Sequence, residues 1–284
     1  MKVFITGAQG CLGLAFQEIL KCQRVNYLGI DIPQLDITDF KRLKEAILSY
    51  HPDVVCHFAA ISDVDLCERE PEMALRVNTL ATLGIALIAR KIDAKLLYTS
   101  TNFVFDGKGE SPYYEYDQPN PISIYGRTKY FGEQYIKEVH TRYYIVRTAW
   151  IFGKNSKTFA SKFLLQKDKP HSINVICDQI GSFTYVEDLA EAIFEIIKSE
   201  NYGTYHIVNS EYGTWLDFLL RAKELMHFST ELIPVKTEEL DLPAPRPRFA
   251  PLGSRNYEFL FGKRMPPWQD ALAEFIKMIN RNSI

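Results

Sequence analysis

The feature that most narrows the fold is Gly7-Ala8-Gln9-Gly10-Cys11-Leu12-Gly13, which stands directly after the apolar run Val3-Phe4-Ile5-Thr6 and opens the amphipathic stretch Cys11–Cys22. A strand that turns through glycines into a helix begins a βαβ unit. The first glycines permit a tight turn and close approach of a pyrophosphate. The third lets helix and sheet pack closely, and the helix N-terminus faces the anion. Gly7, Gln9, Gly10, Cys11, Leu12 and Gly13 are therefore read as a dinucleotide loop, a reading that rests on their position between strand and helix.

The rest of the first half repeats this rhythm. Strands are expected at Val3–Thr6, Val25–Ile30, Val54–Phe58, Lys95–Thr99 and Tyr143–Thr148, and helices at Cys11–Cys22, Phe40–Ser49, Glu72–Arg90 and Ser123–Val139. Near-continuous apolar strands such as Val54-Val55-Cys56-His57-Phe58 suit a sheet covered on both faces. The expected class is α/β, a Rossmann-type doubly wound parallel sheet over residues 1–152. A smaller, discontinuous C-terminal lobe for substrate follows over 153–284, with a segment near 180–200 returning to the first domain. In that half, strands are expected at Ile173–Ile176 and Thr204–Val208, and helices at Val186–Lys198, Trp215–His227 and Trp268–Asn280. Leu242-Pro243-Ala244-Pro245-Arg246-Pro247-Arg248 cannot be regular helix and reads as an extended arm.

Composition excludes several classes. A net charge of −2 supplies no field for nucleic acid or an anionic membrane. No stretch reaches the roughly 20 apolar residues of a membrane span, and the N-terminus lacks a secretory apolar region. The five cysteines (Cys11, Cys22, Cys56, Cys67, Cys177) are scattered, as expected of reduced thiols in a cytoplasmic protein. The six histidines show no metal spacing, and there is no Gly-x-Ser-x-Gly elbow or phosphate-binding Walker loop.

Asp31 ends the second strand, where a carboxylate can accept bonds from the adenosine ribose. No lysine or arginine follows it until Lys41, which leans towards NADH over NADPH; a capping or solvated aspartate is the alternative. Asp36-Ile37 is a candidate for the adenine edge, and the small pair Ala59-Ala60 lets a cofactor lie close to the backbone. Tyr125 and Lys129 are spaced by four in an expected helix and so share a face. A free tyrosine titrates near pH 10, so a nearby ammonium would favour its phenolate. Lys129 would supply that charge and a bond to the nicotinamide ribose. The strand Leu96–Thr101 ends in hydroxyls at the edge where such sheets bind ligands. Thr101 or Ser100 is expected to donate to a carbonyl oxygen that Tyr125 protonates as hydride reaches the carbon. His57 reads as packed within its strand.

With these motifs in place the chain resembles, over nearly its full length, the dTDP-4-dehydrorhamnose reductases, a family of extended short-chain dehydrogenases. The likeness lies in Leu35–Asp39, Pro52–Val55, Val77-Asn78, Ser100–Gly107, Pro121–Lys129, Arg147–Gly153, Asp178–Gly181 and Arg246–Arg248. The resemblance implies Thr101 as the carbonyl-orienting group, Tyr125 as general acid and Lys129 on the cofactor ribose. It adds Asn78 to the cofactor site, and Asn102, Phe103, Trp150, Arg246, Arg248 and Phe249 to the substrate site. It implies NADPH or NADH as cofactor, a dTDP-linked 4-keto-6-deoxysugar as substrate, and is compatible with a homodimer.

Departures matter too. Asn102 stands where the family usually has aspartate, and Phe249-Ala250 replaces a more polar pair. Some bacterial relatives hold magnesium between subunits through an acidic residue on the first helix. Ala15 stands there, so no metal is expected despite Glu187-Asp188. Asn102-Phe103 also argues against a dehydratase, whose active-site threonine is followed by Asp-Glu. Two alternatives stay open: a sibling reductase of another 4-keto-6-deoxysugar, and a non-catalytic dinucleotide-binding subunit.

Overall fold

Val3, Phe4 and Ile5 are all fully buried, so the first strand is covered on both faces. Alternation sends Val3 and Ile5 into one apolar layer and Phe4 into the other. In the computed structural model, which describes residues 1–281, this strand β1 (Lys2–Thr6) lies in a six-stranded parallel sheet. β2 (Asn26–Ile30), β3 (Val54–His57), β4 (Lys95–Thr101), β5 (Tyr143–Thr148) and the strand Gly203–His206 complete it. The order is β2-β1-β3-β4-β5 followed by Gly203–His206. Strand order therefore reverses between β1 and β3, and the crevice at their carboxyl ends is where such sheets bind ligands.

One face is covered by α1 (Cys11–Cys22) and the helix Val186–Lys198, through Leu12, Phe16 and Leu20 against Leu189, Ile193 and Ile196. The other is covered by α2 (Phe40–Tyr50), which Asp39 caps by accepting the Arg42 N–H at 3.1 Å, and by the helices Ala81–Lys91 and Ile124–Val139. The return of the chain to this sheet extends past the expected 180–200. Gly203–His206 pairs in parallel with β5, so a strand read as part of the second lobe belongs to the main sheet.

The helix expected over Glu72–Arg90 is one long element with a defect. Pro71–Ala74 leads into a π-helical turn, Leu75–Leu80, before Ala81–Lys91 resumes α geometry. Such bulges concentrate at functional sites. At 21 residues, Pro71–Lys91 is also long and apolar enough to cross a membrane by length and composition, which amends the expectation that no stretch comes close. Its apolar character has a packing cause: Ile85, Ala86, Ile88 and Ala89 are buried in the core layer between α2 and the sheet.

Much of the C-terminal half builds a third core that is strongly aromatic. Phe152, Phe183, Phe218, Trp268 and Phe275 pack together, with Phe183 and Phe218 stacked at 4.8 Å. Three small parallel pairs frame it: Ser172–Ile176 with Glu231–Val235, Ile180–Gly181 with Phe249–Ala250, and Ile151–Phe152 with Thr184–Tyr185. Residues 241–248 form neither helix nor strand, as their prolines dictate.

Candidate active site

The glycine loop is shaped by backbone against backbone. Gly7 has φ +71°, and a Cβ there would lie 2.6 Å from the Ala59 nitrogen, so the loops after β1 and β3 are in direct contact. A Cβ at Gly13 would collide with the Gly7 carbonyl oxygen. Gly10 precedes α1 without a side-chain cap, and no acidic residue occupies the first turn. The first N–H groups of a 12-residue helix thus point out of a cradle that only glycine leaves open, and a pyrophosphate fits both its shape and its charge.

The residues around this cradle are less free than the sequence suggested. Asp31 accepts the Gln9 N–H and the Ile32 N–H, each at 2.8 Å, so its carboxylate braces the glycine loop as well as ending β2. Asp36 is spent on its own turn, accepting the Thr38 N–H at 2.8 Å, while Ile37 is buried in the core. Asn78 lies in the π-helical turn, where its amide clasps Ile61 from both sides: the Ile61 N–H donates to it at 2.9 Å and it donates to the Ile61 carbonyl at 3.1 Å. It therefore supports the loop carrying Ala59 and Ala60. His57 bridges Thr6 at 2.7 Å and Thr82 at 2.9 Å, and burial, aided by the Lys129 charge, lowers its pKa to about 3. It is a packed, neutral histidine.

At the end of β4 the two candidate hydroxyls part company, because neighbouring strand residues face opposite ways. Ser100 donates to Glu133 at 2.5 Å. Thr101 lies beside Tyr125, near enough to act on its phenol, and its own hydroxyl donates to Asn102 Oδ1 at 3.4 Å. Thr101 also accepts the Phe103 N–H at 3.2 Å, which starts the turn Asn102–Val104. The helix bearing Tyr125 is pressed onto this turn, since a Cβ at Gly126 would collide with the Phe103 carbonyl. Ser123 caps that helix by accepting the Gly126 N–H at 3.1 Å. The Phe103 ring packs edge-on to Tyr125 at 5.6 Å.

Burial pushes the Tyr125 phenol up to about 12, with the neighbouring Thr101 hydroxyl opposing and Cys67 adding to the rise. The expectation that Lys129 draws this group towards phenolate is not what the structure shows. The Lys129 ammonium lies 4.1 Å from the Tyr98 ring centroid, and burial lowers its pKa to about 7 against the pull of Glu133 and Cys67. Tyr125 is thus held as a phenol, the form able to give up a proton.

Sequence reading missed the support behind these groups. Glu133 lies four residues beyond Lys129 and is fully buried, bound by Arg147 through Nε at 2.9 Å and Nη2 at 2.7 Å. Two signals were available: Tyr125, Lys129 and Glu133 share one helix face, and Arg147 is a charge inside an apolar strand. Cys67, fully buried, is a further neighbour of both Tyr125 and Lys129.

On the lobe side, Asn102 donates to the Ala250 carbonyl at 3.2 Å, tying the turn after β4 to the C-terminal arm. Trp150 has φ +39°, a strained value for a non-glycine residue, and stacks on Trp215 at 4.7 Å beside Gly181. Phe249 is half-buried, edge-on to Tyr212 at 5.8 Å. Arg246 does not project freely: it ion-pairs with Asp65 at 2.7 Å. Arg248 is 69% exposed, with Glu238 3.8 Å away. Glu187 and Asp188 open the helix Val186–Lys198, and Asp188 accepts from Asn209 at 2.6 Å.

A family model described as RmlD substrate binding domain matches residues 1–281. The chain belongs to this family, that of the dTDP-4-dehydrorhamnose reductases. It is 34% identical over 276 residues to spore coat polysaccharide biosynthesis protein SpsK of Bacillus subtilis, covering 97% of each chain. The crystal structure of a dTDP-4-dehydrorhamnose reductase from Clostridium acetobutylicum superposes with a TM-score of 0.94 at 34% identity, covering 99% of this chain and 100% of that one. A Bacillus anthracis dTDP-4-dehydrorhamnose reductase in complex with NADP gives 0.93 at 36% identity, covering 98% and 99%.

Proposed function

We propose that this chain is an NAD(P)H-dependent reductase of the C4 keto group of dTDP-4-dehydro-6-deoxy-L-mannose, yielding dTDP-L-rhamnose. The observation that carries the reading is the juxtaposition of Thr101 and Tyr125 at the carboxyl end of β4, with Lys129 one turn along. It is supported by relatives of nearly equal length that bear this activity's name, one of them in complex with NADP.

The dinucleotide, when bound, supplies the hydride. Gly7–Gly13 would hold its pyrophosphate, Asp31 its adenosine ribose and Lys129 its nicotinamide ribose. The protein's own chemistry is proton delivery. Thr101 orients the carbonyl oxygen by hydrogen bonding, and Tyr125, a phenol at neutral pH, donates the proton that converts this oxygen to a hydroxyl. Trp150, Phe103, Arg248 and Phe249 are our candidates for contact with the nucleotide sugar. Arg246 and Asn102 hold the surrounding backbone. The five unpaired thiols fit a reducing compartment, and our reading puts the reaction in the cytoplasm.

Mixing the protein with NADPH or NADH and dTDP-4-dehydro-6-deoxy-L-mannose should consume the absorbance of the reduced nicotinamide. Absence of turnover with both cofactors would sink the proposal. Likeness to SpsK and the apolar Phe249-Ala250 favour a second reading, a sibling reductase of another nucleotide-linked 4-keto-6-deoxysugar. A panel of dTDP-sugars separates the two by relative kcat/KM.

A further inference from the structure

The arm running through Pro243, Pro245 and Pro247 lacks three backbone N–H donors and cannot pair as a strand. Side chains hold it instead. Asp65, in the short helix Val64–Arg69 that follows β3, accepts the Ala244 N–H at 3.1 Å and the Arg246 guanidinium at 2.7 Å. Arg246 closes the clip by donating to the Ala244 carbonyl at 2.8 Å. The two charged side chains are only 15% and 23% exposed, in a chain where 181 residues separate them. Burial works to raise the Asp65 carboxyl. The Arg246 and Ala244 bonds outweigh it and keep the group below its ordinary range.

Beyond the clip, the arm runs to the turn after β4. A Cβ at Gly107 would lie 2.5 Å from the Pro247 side chain, the Phe249 N–H donates to the Gly107 carbonyl at 3.3 Å, and Asn102 holds Ala250. One stretch of backbone is therefore fastened at the helix Val64–Arg69 and again beside the turn that follows Thr101. Arg248 and Phe249 belong to the second fastening, where the Arg248 carbonyl also accepts the Ile180 N–H at 2.7 Å.

We propose that Asp65 is a positioning residue: by clipping Ala244 and Arg246 it fixes the arm across the site and sets affinity for the nucleotide sugar, without taking part in proton transfer. This rests on the reading that the arm borders a nucleotide-sugar site. Asp65→Asn is the direct probe, since it keeps the side chain's size and an acceptor for Ala244 while removing the charge. In the full-length variant, hydrogen exchange of amides over 240–249 should quicken about tenfold. The calorimetric Kd for dTDP and the KM for the sugar nucleotide should rise about tenfold, equivalent to ~1.4 kcal/mol. The value of kcat and the Kd for NADPH should stay within ~2-fold, a split that general loss of stability would not produce. Arg246→Lys, which keeps the charge but not the fork, should fall between wild type and Asp65→Asn. Unchanged exchange over the arm, or a kcat that falls in step with the rise in KM, overturns the proposal. If the wild-type protein shows no affinity for dTDP, the functional reading falls, and the exchange result still decides the clip.

Discussion

Replacing Glu133 by glutamine removes the negative charge opposite Arg147 and nothing else of comparable size. Glu133 and Arg147 are 0% and 1% exposed, and the carboxylate takes three hydrogen bonds, two from the guanidinium and one from Ser100. Breaking a desolvated pair by neutralising one partner leaves the other as an uncompensated buried charge, at a cost of ~3–5 kcal/mol. For a chain of this size each kcal/mol moves Tm by ~2–4 °C, so thermal unfolding followed by circular dichroism should show a fall of ~6–20 °C. The contact between Arg147 and His206 offers little relief, because at 3.4 Å it joins a cation to a histidine that burial and Arg147 itself hold neutral. The double variant Glu133→Gln, Arg147→Met supplies the decisive comparison. It removes the stranded cation, while the amide oxygen introduced by Glu133→Gln can still accept from Ser100. It should therefore be more stable than Glu133→Gln alone, although it carries one more substitution. A single-variant loss under ~1 kcal/mol, or a double variant no more stable than the single, would refute the claim that the pair is desolvated and coupled.

Three further outcomes are expected. Tyr125→Phe should lower kcat by ~10²–10⁴-fold, the usual worth of a general acid, with the Kd for NADPH within ~2-fold of wild type by fluorescence titration; a near-normal kcat would remove Tyr125 from its role. Gly13→Ala sets a methyl group against the Gly7 carbonyl and Ala8 backbone, which have no rotamer to yield, so NADPH affinity should fall ~10–100-fold; tight binding would mean that the loop relaxes. Lys129 is lowered from 10.5 to about 7, so its charge is present below that pH and lost above it. kcat/KM for the free protein should therefore fall as pH rises through about 7, and Lys129→Arg should flatten this limb; a flat wild-type profile would show that the ammonium is not required.

Much of the frame was legible because its signals are local. The glycine loop, the apolar strands and the Tyr125–Lys129 spacing each follow from neighbours a few residues apart. Which of Ser100 and Thr101 faces the phenol was open in the sequence, since alternation says only that they oppose each other. Glu133 decides it by claiming Ser100. Arg246 illustrates the opposite difficulty: its motif pointed to substrate, but its partner Asp65 lies 181 positions away, and no periodicity reaches that far. Asp31 shows a third case, in which one carboxylate both ends a strand and braces a loop. The electrostatics of Tyr125 and Lys129 depend on burial on all sides, which spacing along one helix cannot express.

The packing of Leu12, Phe16 and Leu20 against Leu189, Ile193 and Ile196 also has a meaning in time. A ribosome releases α1 long before the helix that covers it, so one side of the sheet stays bare until nearly 200 residues have been made. The strand Gly203–His206 closes the sheet's edge shortly afterwards, and Ala250 must still emerge before Asn102 finds its partner. A nascent chain halted after β5 would carry the dinucleotide loop, Thr101, Tyr125 and Lys129 and yet have an uncovered apolar face, a state prone to aggregation. Thr101, Tyr125 and Lys129 are thus encoded before position 150, and the arm that joins them follows about 100 residues later.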